Sequence, residues 1–130
     1  MSQDPGPPPP ALAATLARFI EAGLAYPEAT LDHPWGHPSL KVRGKGFAFM
    51  YASAEGFSFS AKLPASSADA LMLPFAQPTG YGLGRSGWIT ARFAPGEGIP
   101  EDLLLDWLDE SYRAVAPKKL SKALPPRADA

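Results

Sequence analysis

The stretch Phe57-Ser-Phe-Ser-Ala-Lys-Leu63 decides the fold class, because apolar and polar residues alternate along it. Successive side chains of an extended chain point to opposite faces of a sheet. The apolar members therefore share one face and the polar members the other: Phe57, Phe59 and Ala61 against Ser58, Ser60 and Lys62. The pattern predicts a strand in a sheet that helices cover on one face only.

Periodicity and turn residues outside this stretch predict the remaining elements. In chain order they are a helix over Ala11–Ala25, strands over Ser39–Arg43 and Phe47–Ala52, a short helix over Pro64–Leu73, a strand over Trp88–Phe93 and a helix over Glu101–Val115. The proline-rich residues 27–38 are predicted to form a loop. The order α-βββ-α-β(β)-α indicates a two-layer α+β fold with an antiparallel sheet.

The last helix and the aromatic residues of the first strands indicate where the core lies. One helical stripe is apolar apart from a serine and faces the sheet: Leu104, Trp107, Leu108, Ser111, Tyr112 and Val115. Its acidic and basic residues, among them Asp109 and Arg113 at i,i+4, are placed on the solvent side. Four phenylalanines are predicted to pack beneath the helices rather than to stack on bases: Phe47, Phe49, Phe57 and Phe59.

Length and composition predict one domain. The chain has 130 residues, of which 45% are hydrophobic and none is cysteine, so disulfides and thiolate zinc sites are excluded. Residues 1–10 are predicted to be a disordered proline-rich leader, 11–120 a single domain and 121–130 a flexible tail. No apolar run approaches the roughly 20 residues of a membrane helix, and the N-terminus lacks a signal-peptide pattern. We therefore expect a cytoplasmic protein without a membrane partner.

Charge is segregated along the chain, although the formal net charge is only −1. Residues 97–110 hold six acidic residues and no base. Basic residues gather in two places, on the first strands and after the last helix: Lys41, Arg43, Lys45 and Lys62, then Arg113, Lys118, Lys119, Lys122 and Arg127. Two interpretations of these clusters are open. They are ordinary solvated surface charge, or the basic residues form a face that contacts phosphates.

Two glycine-containing motifs suggest nucleotide or RNA binding, but their context argues against both. Gly82-Leu-Gly-Arg-Ser-Gly87 has the spacing of a dinucleotide fingerprint, yet a strand rather than a helix follows it. Lys45-Gly-Phe-Ala-Phe-Met50 resembles part of the RNA-recognition signature but lacks an upstream partner strand. What remains is a turn with positive φ angles, in which Arg85 and Ser86 could assist the backbone N–H groups in holding an anion.

The two histidines do not make a metal site. His33 and His37 stand four residues apart, but Pro34 and Gly36 between them prevent a helix. Two histidines and one carboxylate are few ligands, so no metal is predicted. No catalytic constellation and no cofactor motif is visible either, and the sequence leans against an enzyme.

Several short segments, taken in order, resemble the MmcQ/YjbR family of small bacterial proteins. They are Tyr26-Pro27, Asp32-His-Pro-Trp-Gly-His-Pro38, Lys41-Val-Arg-Gly-Lys45, Lys62-Leu-Pro64, Tyr81-Gly-Leu-Gly-Arg-Ser-Gly-Trp88 and Asp109-Glu-Ser-Tyr-Arg-Ala-Val-Ala-Pro-Lys-Lys119. The resemblance implies the order α-β(3)-α-β(2)-α, similar to secretion chaperones and CyaY-like proteins. It also implies DNA binding through a double-wing arrangement of hairpins.

Three hypotheses about function follow. In the first, basic residues contact the phosphates of DNA: Lys41, Arg43, Lys45, Arg85, Lys118 and Lys119. In the second, a protein partner binds the acidic last helix, as a chaperone-like fold would allow. In the third, a small anionic ligand binds between the loops His33–His37 and Gly80–Trp88, whose candidate residues are His33, Trp35, His37, Ser86 and Trp88.

Overall fold

The structure, a computed structural model, describes residues 6–126 apart from the side chain of Trp35. Predictions that fall on residues 1–5 and 127–130, which include parts of the expected leader and tail, lie outside the described residues.

The described chain forms four helices and six strands. The helices are α1 (Pro10–Leu24), α2 (Ser67–Ala70), α3 (Glu101–Val115) and α4 (Lys118–Lys122). The strands are β1 (Ala29–Asp32), β2 (Ser39–Val42), β3 (Lys45–Ser53), β4 (Gly56–Lys62), β5 (Ala76–Pro78) and β6 (Trp88–Phe93). Two short 3-10 turns, Pro34–Gly36 and Leu83–Ser86, interrupt the connections. This is the predicted α+β fold.

All six strands form one antiparallel sheet in the order β1-β2-β3-β4-β6-β5. Helices α1 and α3 pack on one face of this sheet. Phe19 of α1 stacks on Phe57 at 5.8 Å and lies 5.3 Å from Phe59, both measured between ring centroids. The core therefore lies between these helices and the central strands.

The alternation that predicted β4 is confirmed. Phe57, Phe59 and Ala61 are buried in the core under the helices. The serines and lysine between them point to the other face, which we call the open face. There the Ser60 hydroxyl lies 2.7 Å from that of Thr90 on the neighbouring strand β6.

A β-bulge in β3 separates two phenylalanines that the sequence predicts together. Leu40 pairs with Ala48 and Lys41 with Gly46, so Phe47 has no partner on β2. The extra residue shifts the alternation by one. Phe47 lies under the helices, 5.2 Å from the ring of Tyr112, whereas the Phe49 ring lies 5.1 Å from Trp88 on the open face. The prediction that helices cover Phe49 is wrong for this reason.

Two short edge strands were not located from the sequence. Strand β1 lies within residues 27–38, which were predicted to be a loop, and β5 is the second strand of the predicted β(β) pair. Each has at most four residues and neighbouring prolines, so neither shows a clear period. Pro78 is tolerated within β5 because an edge strand leaves one side of its backbone unpaired.

Helix α3 has the predicted limits, with one correction. Its stripe is buried against the sheet, but Asp109, which was placed on the solvent side, is only 8% exposed. The Asp109 carboxylate accepts hydrogen bonds from the Tyr26 hydroxyl at 2.7 Å and from Arg113 Nε at 2.7 Å. The predicted i,i+4 pair with Arg113 is therefore present, but it is half-buried rather than solvated.

Regular secondary structure extends beyond residues 11–120, the limits that composition predicts for the domain. Pro10 already belongs to α1, and α4 runs to Lys122. Leu124 packs against the core, and the Pro125 carbonyl accepts a hydrogen bond from Arg113. Helix α2 has only four residues within the longer predicted segment, between Pro64 and Pro74.

Candidate functional site

The strand register brings several separated segments to one end of the sheet. Strands β2 and β3 are joined at the Arg43-Gly44 turn, β4 ends beside this turn at Lys62, and β6 begins opposite Lys62 at Trp88. The Ser111 hydroxyl bonds the Phe47 carbonyl and the Lys62 N–H, so the C-terminal half of α3 reaches the same level. We call this the hairpin end of the molecule.

Basic residues from these segments lie at the hairpin end. We refer to the following six as the basic set: Arg43, Lys45, Lys62, Arg85, Lys118 and Lys119. Among the residues that the structure describes, only Arg43 of this set takes part in an ion pair. The other five are charges without an opposite charge in contact, and all but Lys62 are largely exposed.

The two basic residues before the turn are neutralised locally. Arg43 Nε lies 2.6 Å from Glu28 Oε1, and Lys41 Nζ lies 2.9 Å from Asp32 Oδ2. These hydrogen bonds hold the pKa of each carboxyl group below its ordinary value. The register places Lys41 on the open face, opposite Thr30 of β1. Lys41 therefore differs from the unpaired cations of the basic set, because Asp32 already neutralises its charge.

Helix α4 extends the basic set on the side of Arg43. The positive charge of Lys119 also lowers the pKa of Glu28, so this lysine lies near the Arg43–Glu28 pair. Lys118 and Lys119 are the first two residues of α4 and are exposed. Pro117 precedes them and joins α4 to α3. The hairpin turn and the C-terminal cations, predicted from separate charge clusters, are thus neighbours.

The glycine-rich segment forms a defined turn between β5 and β6. Gly82 and Gly87 have φ of 78° and 89°, and the 3-10 turn Leu83–Ser86 lies between them. No helix follows, because β6 begins at Trp88. The segment therefore has the positive φ angles predicted for a turn and lacks the helix that a dinucleotide fingerprint needs. Arg85 and Ser86 are both exposed on it.

The two loops of the small-ligand hypothesis reach the open face at different places. His37 stacks on Tyr51 at 4.1 Å between ring centroids. Tyr51 and Arg92 both pair with Ser58 of β4, so they lie at the same level of the sheet, near the end opposite the hairpin end. Trp88 lies at the hairpin end against Phe49. His33 is exposed before the 3-10 turn, and the side chain of Trp35 lies outside what the structure describes. No described ring contact or hydrogen bond joins the two loops.

Most acidic residues of the segment 97–110 have internal partners. Glu101 receives two hydrogen bonds from Arg18, at 3.0 and 2.7 Å. Glu110 accepts from the backbone N–H groups of Ala65 and Ser66, as well as from the Ser66 hydroxyl. The surface that the second hypothesis assigns to a protein partner is therefore partly occupied by contacts within the chain.

Two further absences hold for the described part of the chain. No group of three or more histidine or acidic side chains is arranged to hold a metal ion in the described residues. None of the described helices has the length and apolar character needed to cross a membrane.

Sequence reasoning missed two residues of the hairpin end. Lys62 was counted in a charge cluster but not as a site residue, because its position beside the turn depends on the pairing of β3 with β4 and β6. The sequence places Tyr81 in the segment Tyr81–Trp88 without a role of its own, yet its side chain is fully exposed. An aromatic residue between two glycines was the available signal for Tyr81.

The fold and this end define a class: a small α+β domain with a helix-covered antiparallel sheet and cations gathered at one end of its strands. The model of the family described as YjbR matches residues 24–114, more than half of the chain. The chain belongs to the YjbR family. The match runs from the end of α1 to α3 and leaves Lys118 and Lys119 outside it. A comparison with curated proteins gave no match.

Proposed function

We propose that the protein binds nucleic acid, DNA in the first instance, through phosphate contacts at the hairpin end. The observation that carries the proposal is the placement, at one end of the sheet, of five cations without ion-pair partners in the described chain: Lys45, Lys62, Arg85, Lys118 and Lys119. Cations placed in this way neutralise phosphates and release counterions, which supplies much of the affinity in nucleic-acid complexes.

The spacing of the set favours a polymer over a single small anion. Lys45 on β3 and the start of β6 are two strand spacings apart, or about 9 Å across the sheet, and the glycine-rich turn and α4 extend the set further on both sides. A phosphate group reaches only one or two cations over such a distance. Successive phosphates of a nucleic-acid strand can contact cations along the whole of it.

Lys41 and Arg43 have smaller roles than the other cations in this proposal. Each already has a carboxylate partner, so a phosphate contact would have to compete with Asp32 or Glu28. Lys45, directly after the Arg43-Gly44 turn, is the hairpin residue that we expect to contact a phosphate. The hairpin then acts as a wing through its tip, and the set extends to Arg85 on one side and Lys119 on the other.

Salt-dependent binding tests the proposal. We expect a labelled duplex of about 20 base pairs, followed by fluorescence anisotropy, to bind at about 50 mM salt. With five phosphate contacts, the association constant falls about 500-fold by 200 mM salt, because each contact adds about −0.9 to the slope of log K against log salt. Loss of each contact in Lys45→Ala, Arg85→Ala or Lys119→Ala reduces the steepness of that slope by about one.

Arg92→Ala is the matched control, because Arg92 is an exposed arginine in the Tyr51 row, away from the hairpin end. It should leave both the affinity and the slope close to those of the unmodified protein. The proposal is wrong if no duplex or single strand binds at low salt. It is equally wrong if the hairpin-end variants bind as tightly as Arg92→Ala.

A further inference from the structure

Tyr81 is the most exposed large hydrophobic side chain among the described residues, with a relative accessibility of 105%. It makes no hydrogen bond or ring contact within the described chain. Its φ is +59°, a left-handed conformation that is unfavourable for an aromatic residue. Neither packing nor backbone preference explains a tyrosine here. Unfavourable backbone conformations of this kind are concentrated at binding sites.

The turn that carries Tyr81 has a defined shape. Leu83 N–H bonds the Gly80 carbonyl at 3.2 Å, and Gly84 N–H bonds the Thr79 carbonyl at 3.1 Å. Gly84 packs so tightly on Pro78 that an added Cβ would lie 2.7 Å from the proline ring. The backbone is therefore fixed on both sides of Tyr81, and the ring is presented to solvent at little cost in loop ordering.

The ring is presented at the hairpin end. Thr79 N–H bonds the Trp88 carbonyl, and Leu63 N–H bonds the Gly87 carbonyl, so both ends of the turn are tied to the strands that carry Lys62 and Trp88. Arg85 follows four residues after Tyr81 on the same turn and is exposed. An exposed aromatic ring thus lies on the same turn as the unpaired Arg85, at the end of the sheet where Lys62 ends β4.

We propose that Tyr81 stacks on an unpaired base, so that the ligand of the hairpin end is single-stranded nucleic acid or an unpaired segment of one. This inference rests on the proposed function and narrows its substrate class. Phosphate contacts alone do not use an aromatic ring, and the bases of a duplex are stacked on one another. Aromatic faces beside a basic groove are the usual platforms for single strands, and base stacking on such a face tolerates any sequence.

The experiment compares a single strand with a duplex on the intact protein. Oligothymidylate and oligouridylate of about 15 nucleotides, a length within the usual site sizes, form the DNA and RNA arms. A duplex of about 20 base pairs is the third probe. The variants are Tyr81→Phe, which keeps the ring, and Tyr81→Asn, which removes it with a residue that tolerates the left-handed conformation. Thermal unfolding of each variant verifies folding.

We expect Tyr81→Asn to weaken single-strand binding about tenfold or more, while duplex binding changes less than about twofold. The salt slope should stay the same, because no phosphate contact is removed. Tyr81→Phe should bind as the unmodified protein does. Met72→Ala is the matched control for loss of exposed apolar surface, since Met72 is 83% exposed on the segment that follows α2.

Two results would overturn the inference: single-strand binding that Tyr81→Asn leaves unchanged, or a loss that is equal for single strand and duplex. In both cases the lysine and arginine variants can still weaken binding, and the proposed function then stands. If none of the three probes binds, the proposed function itself has failed. A loss on either single-strand arm that is greater than the loss on the duplex supports the inference.

Discussion

Ser111 shows how a single side chain fixes the position of the last helix on the sheet. Its hydroxyl donates to the Phe47 carbonyl, which the bulge leaves without a partner on β2, and accepts from the Lys62 N–H at 2.8 Å. The side chain is fully buried. A serine in the otherwise apolar stripe of α3 therefore satisfies one backbone group on β3 and one on β4.

Replacing Ser111 with alanine should lower the free energy of unfolding by about 1–3 kcal/mol, because two buried backbone groups lose their partner. Urea denaturation measures the difference. Ser58→Ala is the control, since Ser58 lies on the open face of β4 and is half-exposed. An equal effect of both substitutions would show that the Ser111 hydrogen bonds contribute nothing beyond ordinary serine packing.

At this scale the sequence predicts which residues are buried better than it predicts their partners. The spacing within α3 was enough to predict the Asp109–Arg113 pair. The burial of Asp109 was not predictable, because it depends on Tyr26, which is 83 positions away in the chain. The periodicity of a helix depends only on residues within that helix. It therefore cannot indicate a hydrogen bond to a distant segment of the chain.

Elements were predicted where a pattern is long enough to repeat. Helix α3 has the limits read from its heptad-like stripe, and β4 those read from alternation to within one residue. The edge strands β1 and β5 are too short for either period, so they are recognised only through pairing with β2 and β6. The bulge at Phe47 could not be predicted, since one extra residue on β3 is defined only relative to β2.

The turn between β3 and β4 offers a test of close packing between elements. A Cβ on Gly56 would lie 2.2 Å from the backbone carbonyl oxygen of Phe93 on β6, and Gly56 has φ of +138°. We expect Gly56→Ala to lower the free energy of unfolding by about 2 kcal/mol or more, because β4 and β6 must move apart.

Two other glycines separate the causes of that loss. Gly96 has φ of +88° and open space around it. The loss of stability in Gly96→Ala therefore measures the cost of the positive φ alone. Gly98 has open space and no positive φ, and Gly98→Ala should change stability by less than about 0.5 kcal/mol. A Gly56→Ala protein no less stable than Gly96→Ala would contradict the close approach to β6.

For the whole molecule, the sequence predicted that charge is clustered but not how the clusters are arranged. Adding the charges along the chain separates an acidic segment from two basic ones. Only the sheet order shows that the cations of β3, β4 and the glycine-rich turn lie together. At the other end of the strands are exposed acidic residues and one exposed arginine of β6: Glu55, Glu97, Asp102 and Arg92.

Ion pairs that join distant segments make stability depend on acid pH. Hydrogen bonds from Arg43, Lys41 and Arg18 lower the pKa of Glu28, Asp32 and Glu101 respectively. Carboxyl groups with a lowered folded-state pKa stabilise the protein above their ordinary values of 4.5 for glutamate and 3.8 for aspartate. This stabilisation is lost as the pH falls through the lowered folded-state values.

We therefore expect the melting temperature to fall on acidification below about pH 4.5. Glu101→Gln should lower the melting temperature at neutral pH and make the fall on acidification shallower, because the pair with Arg18 no longer titrates. Asp102→Asn, at an exposed position in the same helical turn, is the control and should keep the full acid dependence. Differential scanning calorimetry from pH 7 to about 3 measures all three proteins.

Separated charge at the two ends of the strands also bears on how the protein meets its ligand. The hairpin end carries five cations without ion-pair partners among the described residues, so a polyanion attracts this end of the molecule more strongly than the other. The field of a polyanion turns such a molecule during diffusion, so most encounters begin with the hairpin end in front. Added salt should then slow association as well as weaken the complex. A variant that lacks one of these cations should associate more slowly, because the attraction acts before any contact forms.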